Sequence, residues 1–426
     1  MHRHKRLGVA AVSCILVVVV LCLLTVSAPA APLPASGYAT QEIRYHHAPH
    51  AEHLNARGAL LPREDQRKDA WSIYEQEEWD YFLYLPLVFK RYDPLAPWTG
   101  DARFGFGVSE NPVEQYNVSL LHADWYINFG FRADPPSLPG LEFVQTIRLC
   151  EPDLGLLFGG NCWAPRTCGT DYSPSQAAIV DYATAQPGTL WLIGNEPDAP
   201  GQDCITPGRY AEMYHELYYI IKGADSSAKV AIGGVVQGTP LRLEYLDMIL
   251  DEYQAIYDGM IPVDVWNVHA FILREEKDSW GCQIPPGIEA EEGMPYTLSD
   301  HDNMTIFAEQ IVRFRQWMRD RGERNKPLVV TEYGILLSRY HDYPPGFDEP
   351  RVEDFMLATF DYFLSATSTS YGYPGDGNRL VQAWCWFSLD DSHFEGYESY
   401  SHLFDSETKQ ITPLGIAYGN YSASLP

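Results

Sequence analysis

Two glutamates follow runs of apolar residues that are typical of buried parallel strands. Glu196 ends the segment that begins at Thr189, and Glu332 comes directly after Leu-Val-Val-Thr, which ends at Thr331. Two carboxyl groups at one edge of a strand array can cleave a glycosidic bond. One protonates the leaving oxygen, and the other attacks or stabilises the oxocarbenium-like centre. An acidic residue that ends an apolar strand is rarely a plain surface carboxylate, so the pair predicts this chemistry.

Strand candidates recur after residue 98, and helix candidates separate several of them. The eight strands are expected at 104–108, 125–129, 143–149, 190–193, 230–236, 263–268, 328–331 and 381–387. Helices are expected near 207–221, 240–253, 306–318 and 352–366; in the first two, a threonine and a proline form the start signal.

This alternation predicts an α/β fold, either a (β/α)8 TIM barrel or a doubly wound open sheet. Glu196 and Glu332 would end the fourth and seventh strands. In a barrel those ends share one mouth, so we favour the TIM barrel.

Four strand-end motifs resemble those of clan A glycoside hydrolases, the retaining (β/α)8 group. They are Gly194-Asn-Glu-Pro-Asp198, Asp264-Val-Trp-Asn-Val-His-Ala270, Thr331-Glu-Tyr-Gly334 and Ala383-Trp-Cys-Trp-Phe-Ser388. Within the clan, Trp125-Tyr-Ile-Asn-Phe129 and Thr412-Pro-Leu-Gly415 are most similar to the glycosyl hydrolase catalytic-core group named for the fungal alkali-sensitive linkage protein. That group includes endo-β-1,3-glucanases.

The resemblance implies an endo-acting glycoside hydrolase of β-linked polysaccharide, a neutral β-glucan or a similar hemicellulose, with Glu196 as acid/base and Glu332 as nucleophile. The basic and apolar N-terminus indicates that the enzyme is secreted. The acid must keep its proton, so the pKa of Glu196 is expected to be raised, whereas Glu332 must stay ionised. Retention predicts carboxyl groups about 5–5.5 Å apart. The alternative is a catalytically silent barrel that binds carbohydrate or serves as a surface scaffold, although keeping both glutamates argues against it.

Further residues are expected to line the cleft. Asn195 would aim its amide at the sugar 2-hydroxyl, or serve only the turn before Pro197. His269 would orient the nucleophile or touch the sugar, or be a core histidine with satisfied hydrogen bonds. Five more candidates have packing as their alternative role: Trp386, expected to form the floor of the cleaved subsite, together with Trp384, Arg148, Tyr126 and Asn128.

The chain departs from better-known branches of the clan at two places. Many members have His-x-Tyr on the sixth strand, whereas this chain has His269-Ala-Phe271 and lacks the hydroxyl. The frequent arginine near the second strand is also missing, unless Arg148 takes its role. These departures concern the subfamily and the substrate rather than the two carboxylates.

Charge restricts the partners. A formal net charge of −27 disfavours DNA, RNA and anionic membranes, but it does not oppose a neutral polysaccharide. Two carboxylates and water suffice for the reaction, so we expect no metal and no cofactor, and we expect a monomer.

The N-terminus has the features of a targeting segment. Basic residues precede a long apolar run, and small residues follow near Ala30, so residues 1–31 are expected to be a cleaved signal peptide, with a retained membrane anchor as the alternative. Residues 32–98 are expected to be a linker or extension, and residues 99–426 the catalytic domain.

Six cysteines lie outside the targeting segment, and an exported protein would use them in disulfides. Cys162 and Cys168 form the easiest local pair. Zinc is the rival interpretation, but the spacing lacks a C-x2-C pair.

Overall fold

The computed structural model describes residues 103–151, 170–337, 347–394 and 397–425. The expected signal peptide, the expected extension at 32–98, Cys162 and Cys168 lie outside these ranges. Within them, no helix has both the length and the apolar character needed to cross a bilayer.

Twelve strands and six α-helices are defined in these ranges. The strands are β1 (Phe104–Gly107), β2 (Trp125–Ile127), β3 (Glu142–Phe143), β4 (Gln145–Leu149), β5 (Tyr172–Ser173), β6 (Leu190–Asn195), β7 (Lys229–Gly234), β8 (Trp266–His269), β9 (Leu328–Tyr333), β10 (Ala383–Trp386), β11 (His393–Phe394) and β12 (Tyr397–Glu398). The helices are α1 (Gln176–Ala185), α2 (Pro207–Ala224), α3 (Pro240–Tyr257), α4 (Met304–Asp320), α5 (Glu349–Ser365) and α6 (Pro413–Ala423).

Parallel pairing joins nine of these strands, β1 to β4 and β6 to β10, into a barrel. One sheet has the order β3-β2-β1-β10-β9-β8, and β4 pairs with β6, which pairs with β7. A single residue, Val144, separates β3 from β4, so the two act as one bent strand. Two parallel bridges, Ala231 with Val265 and Val235 with Val268, join β7 to β8. The predicted (β/α)8 TIM barrel is therefore confirmed.

Side-chain alternation divides the barrel strands between two environments. One set of residues packs inside the barrel, where it forms a small cluster that includes Trp125, Leu192, Val329 and Cys385. The alternating set packs with the helices in a much larger cluster. Residues i and i+2 share a face of a strand, so the direction of one side chain determines the directions of the side chains next to it.

The predicted starts of α2 and α3 are confirmed, since each helix begins at a proline that follows a threonine. The helix α4 buries Phe307, Ile311 and Phe314, as the apolar spacing predicted. The helices α1 and α6 were not predicted from the sequence.

A bulge interrupts the alternation in β9. Val330 pairs with Val268 of β8, but the next pair is His269 with Glu332, so β9 contains one more residue than its neighbour. The register with β10 shifts at the same place. The extra residue turns Glu332 towards the barrel axis, while Tyr333 packs in the outer cluster with the helices.

Candidate active site

The two predicted catalytic glutamates meet at the carboxyl end of the barrel. Glu196 follows β6 directly, and Glu332 is the penultimate residue of β9. Both line one cavity of about 460 Å³, and both are buried, with 8% and 6% of their surface exposed. One ligand oxygen from each carboxyl group and one ring nitrogen of His269 all lie within 4.8 Å of one another.

His269 lies between the two carboxyl groups. Its Nδ1 is 2.9 Å from Oε1 of Glu196, within hydrogen-bonding distance, and its Nε2 is 3.4 Å from Oε1 of Glu332. Neither His269 Nε2 nor Glu332 Oε1 has a hydrogen-bond partner. The imidazole therefore belongs to the site rather than to a satisfied core position, and Oε1 of Glu332 is buried without a hydrogen-bond partner.

A glycine makes room for this imidazole. A Cβ on Gly234, the last residue of β7, would lie 2.5 Å from Cδ2 and 2.6 Å from Nε2 of His269. No heavy atoms pack at that separation, so His269 occupies its position only because residue 234 has no side chain.

The pKa of Glu332 is shifted in the direction opposite to the one expected for an ionised nucleophile. Burial raises the pKa of Glu332, and the charge of Glu196 raises it further, whereas His269, Arg148 and a hydrogen bond from Asn195 lower it. Burial lowers the pKa of His269, but the carboxylates of Glu332 and Glu196 outweigh it and raise the pKa overall. The carboxyl group expected to stay ionised is therefore the one that burial drives towards its protonated form.

Arg148 and Asn195 both act on the pKa of Glu332. Both line the cavity, and both side chains donate to Oε1 of Gln202, Arg148 from Nη2 at 3.1 Å and Asn195 from Nδ2 at 3.4 Å. Arg148 is on β4, the third strand of the barrel. Its positive charge lowers the pKa of Glu332.

The expected tryptophan floor is wrong. Trp384 and Trp386 are fully buried and pack in the outer cluster with the helices, and Trp386 donates from Nε1 to the carbonyl of Ser401 at 2.7 Å. The opposite face of β10 points towards the barrel axis, and Cys385 lies on that face. Neither tryptophan can reach a ligand in the cavity.

Two further expectations fail for the same reason. Tyr126 is 1% exposed and packs against Phe106 and Phe143 in the outer cluster. Asn128 does not line the cavity, and its Oδ1 accepts the N–H of Gly130, a local turn interaction.

Three phenylalanines form the aromatic wall instead. Phe129, Phe271 and Phe387 all line the cavity, and the ring centroid of Phe387 is 5.7 Å from that of Phe129 and 6.1 Å from that of Phe271. Phe129 and Phe387 each directly follow a residue that the sequence analysis chose. The motifs located these strand ends correctly. The side chain that faces the cavity, however, belongs to the residue after the predicted one.

Buried charges hold the loop that follows Glu196. Arg242 of α3 is fully buried and pairs with Asp198 at 3.0 Å and with Glu275 at 3.2 Å. Its guanidinium also donates to the carbonyls of Cys282 and Gln283, which line the cavity. One arginine thus fastens two walls of the cleft, and no motif in the sequence indicated it.

The cysteines differ from the expectation of uniform pairing. Cys282 and Cys385 are free and buried, whereas Cys150 and Cys204 are disulfide-bonded. Burial raises the pKa of the Cys282 thiol to about 12, so it stays protonated although it lines the cavity.

In the described part of the chain, the donors suited to a metal ion are those of Glu196, His269 and Glu332. Carboxylate and imidazole together are ligands that zinc and copper accept. The same three groups are also arranged for acid–base chemistry.

No protein-family model matches the chain, and no curated protein matches it by sequence. Several solved structures are similar. One is a GH128 (subgroup II) endo-β-1,3-glucanase from Pseudomonas viridiflava, with 16% identity, a TM-score of 0.48, and coverage of 76% of this chain and 98% of that chain. A GH128 (subgroup I) endo-β-1,3-glucanase from Amycolatopsis mediterranei, in complex with laminarihexaose, has 16% identity, a TM-score of 0.45, and coverage of 75% and 99%.

A GH128 (subgroup III) curdlan-specific exo-β-1,3-glucanase from Blastomyces gilchristii, in complex with glucose, is similar at 17% identity. Its TM-score is 0.45, and the match covers 75% of this chain and 98% of that chain. At this identity, the roles of the site residues rest on the geometry of this chain.

Proposed function

We propose that this chain is a retaining glycoside hydrolase that cleaves a neutral, β-linked glucan. The observation that carries the proposal is the pair of buried glutamates on either side of His269, with one oxygen from each within 4.8 Å. Retaining enzymes place their carboxyl groups about 5–5.5 Å apart, whereas inverting enzymes need about 6.5–9.5 Å to admit a water molecule between them. The separation therefore favours retention.

In this mechanism, Glu332 attacks the anomeric carbon while Glu196 protonates the departing oxygen. Glu196 then removes a proton from water, and the resulting hydroxide releases the sugar from Glu332. Oε1 of Glu332 makes no hydrogen bond within the protein, so its attack on the sugar breaks none. His269 contacts both carboxyl groups and fixes their separation.

Turnover requires the proton of the pair to be on Glu196. Burial opposes this, because it raises the pKa of Glu332. The positive charge of Arg148 and the hydrogen bond from Asn195 act in the required direction, since both lower the pKa of Glu332. We therefore assign to these two residues the task of keeping the nucleophile ionised.

The first test is product release from a panel of β-1,3-, β-1,4- and mixed-linkage glucans, mannan, xylan and galactan, with Glu332→Gln as the control. Hydrolysis by the wild type that is lost in the variant supports the proposal. Tight binding of a glucan without any product from folded wild-type protein would instead support the silent, carbohydrate-binding barrel.

The roles of the two glutamates are separated by a substrate whose leaving group needs no proton. We expect Glu196→Gln to retain formation of the glycosyl intermediate with an activated aryl β-glucoside, and azide to accelerate its breakdown to a β-glycosyl azide. Glu332→Gln should be inactive on the same substrate. The reverse pattern would exchange the two assignments.

We also propose that the protein is exported and acts as a monomer. The basic and apolar N-terminal segment supports export. N-terminal sequencing of secreted protein should find cleavage near Ala30, whereas an intact terminus in a membrane fraction would support the anchor.

A further inference from the structure

Asp203 joins two barrel strands beside the candidate nucleophile. Its side chain is fully buried, and its Oδ2 accepts the backbone N–H of Leu149 at 3.0 Å and that of Asn195 at 2.8 Å. Its Oδ1 accepts from Nε of Arg148 at 2.6 Å. One carboxylate therefore ties the end of β4 to the end of β6 and holds the arginine between them.

The remaining contacts of Arg148 complete this arrangement. Nη1 donates to the carbonyl of Phe129 at 3.4 Å, and Nη2 donates to Oε1 of Gln202 at 3.1 Å. The arginine side chain is 25% exposed and lines the cavity, whereas its carboxylate partner is not exposed at all. The guanidinium is thus anchored from behind and presents its charge to the cavity.

We propose that Asp203 is a positioning residue that holds Arg148 and Asn195 at the cavity wall beside Glu332, where both act on the nucleophile. This inference rests on the proposed function only in naming Glu332 as the nucleophile. Asp203 does not line the cavity and acts through its two partners.

Several charged and polar groups face Glu332 from different parts of the barrel. Arg148 lies on β4, Asn195 and Glu196 lie at the end of β6, His269 lies on β8, and Cys385 lies on β10. Arg148 is the side chain in this set that carries a permanent positive charge. A change in its position should therefore move the titration of Glu332 while the other groups stay in place.

The test is the titration of Glu332 in Asp203→Asn. An asparagine cannot accept from both the backbone N–H groups and Arg148 without placing its own NH2 against a donor, so the arginine should be released. Glutamate labelled with 13C at the carboxyl carbon gives a signal for Glu332, assigned by its loss in Glu332→Gln. We expect its midpoint to rise by on the order of one pH unit.

Kinetics supply a second readout. The acid limb of the pH profile of kcat/KM should move up by the same amount, and kcat should fall on the order of 10²-fold. The same titration in Arg148→Met should also show an upward shift. Adding Asp203→Asn to that variant should produce a smaller shift than it does in the wild type, because only the contact with Asn195 is then left to lose.

Asp390 provides a matched control. It is also fully buried, and from the loop after β10 it accepts the backbone N–H groups of Ser109, Glu110 and Asn111 in the loop after β1. Asp390→Asn should lower the melting temperature in the manner of Asp203→Asn, but it should leave the Glu332 midpoint unchanged.

An unmoved midpoint in folded Asp203→Asn would overturn the inference, as would a shift that is as large in the Arg148→Met background as in the wild type. If Asp203→Asn does not fold, Asp203→Glu keeps the buried charge and should show a smaller shift in the same direction; a wild-type midpoint there would overturn the inference. Because the NMR titration needs no turnover, its result is independent of whether the glucan panel identifies a substrate.

Discussion

Among single residues, the candidate nucleophile Glu332 is one that makes the folded protein less stable. Its carboxyl group is buried, and one oxygen has no hydrogen-bond partner. A buried polar atom without a partner reduces the free energy of unfolding. Active sites commonly retain such groups because the reaction needs them unpaired.

This cost should depend on pH. Because the pKa of Glu332 is raised above 4.5 in the folded protein, the folded state binds more protons than the unfolded state once the pH exceeds the unfolded value. The contribution of Glu332 to stability therefore falls as pH rises. We expect Glu332→Gln to be more stable than wild type at about pH 8, by on the order of 1–2 kcal/mol, and to lose this advantage at about pH 4.

Thermal denaturation of both proteins at the two pH values is the measurement. An equal difference in melting temperature at both values would contradict the raised pKa. Glu114→Gln serves as the control, since Arg132 lowers the pKa of that exposed carboxyl group and the sign of its effect should be reversed.

The aromatic wall gives a second prediction at the residue scale. Phe387 lines the cavity, whereas its neighbour Trp386 is buried against Tyr333 and Phe355. Phe387→Ala should raise KM for a glucan several-fold with little loss of stability. Trp386→Ala should cost about 3–5 kcal/mol of stability, because it leaves a large cavity. Steady-state kinetics and denaturant unfolding of the two variants would separate the roles, and a KM effect confined to Trp386 variants would restore the original expectation.

At the level of elements, two adjacent strands position His269. The β8 strand carries the imidazole, and Gly234 at the end of β7 leaves space for it. Gly234→Ala should displace the ring and lower kcat on the order of 10²-fold, while the barrel stays folded. Adding His269→Ala should recover the stability lost in Gly234→Ala but not the activity.

Gly223 is the matched control for this substitution. It lies on the exposed side of α2, and a Cβ there would meet nothing within 4 Å. Gly223→Ala should raise stability by about 0.5–1 kcal/mol through helix propensity and leave kcat unchanged. Unaltered kcat in Gly234→Ala would show that His269 tolerates displacement.

At the level of the whole molecule, the net charge of −27 acts on binding at long range. A neutral glucan feels little of this field, so kcat/KM for it should change less than about two-fold between low and high salt. A carboxymethylated form of the same glucan should be hydrolysed slowly at low salt, and its rate should rise as salt screens the repulsion. A strong salt dependence with the neutral glucan would contradict this prediction.

The barrel itself was predictable because its signals are local. Apolar runs, Thr-Pro helix starts and an amphipathic spacing all depend on residues close in sequence, and they located the eight strands and four of the helices. The two glutamates at strand ends were predictable for the same reason, since a strand end is also a local feature. Whether the sheet closed was decided by strand pairing, which involves residues distant in sequence.

The sequence by itself determined the residue types of the candidate site and the strand ends at which they lie. Tertiary structure decided which side chains face the cavity. A bulge in β9 turns Glu332 inwards, and alternation in β10 turns Trp384 and Trp386 outwards. The tertiary structure also decided which further charged side chains support the site, because Asp203 and Arg242 act through contacts that no local pattern encodes. The physical reason is that side-chain direction depends on register, and register is set only when the strands pair.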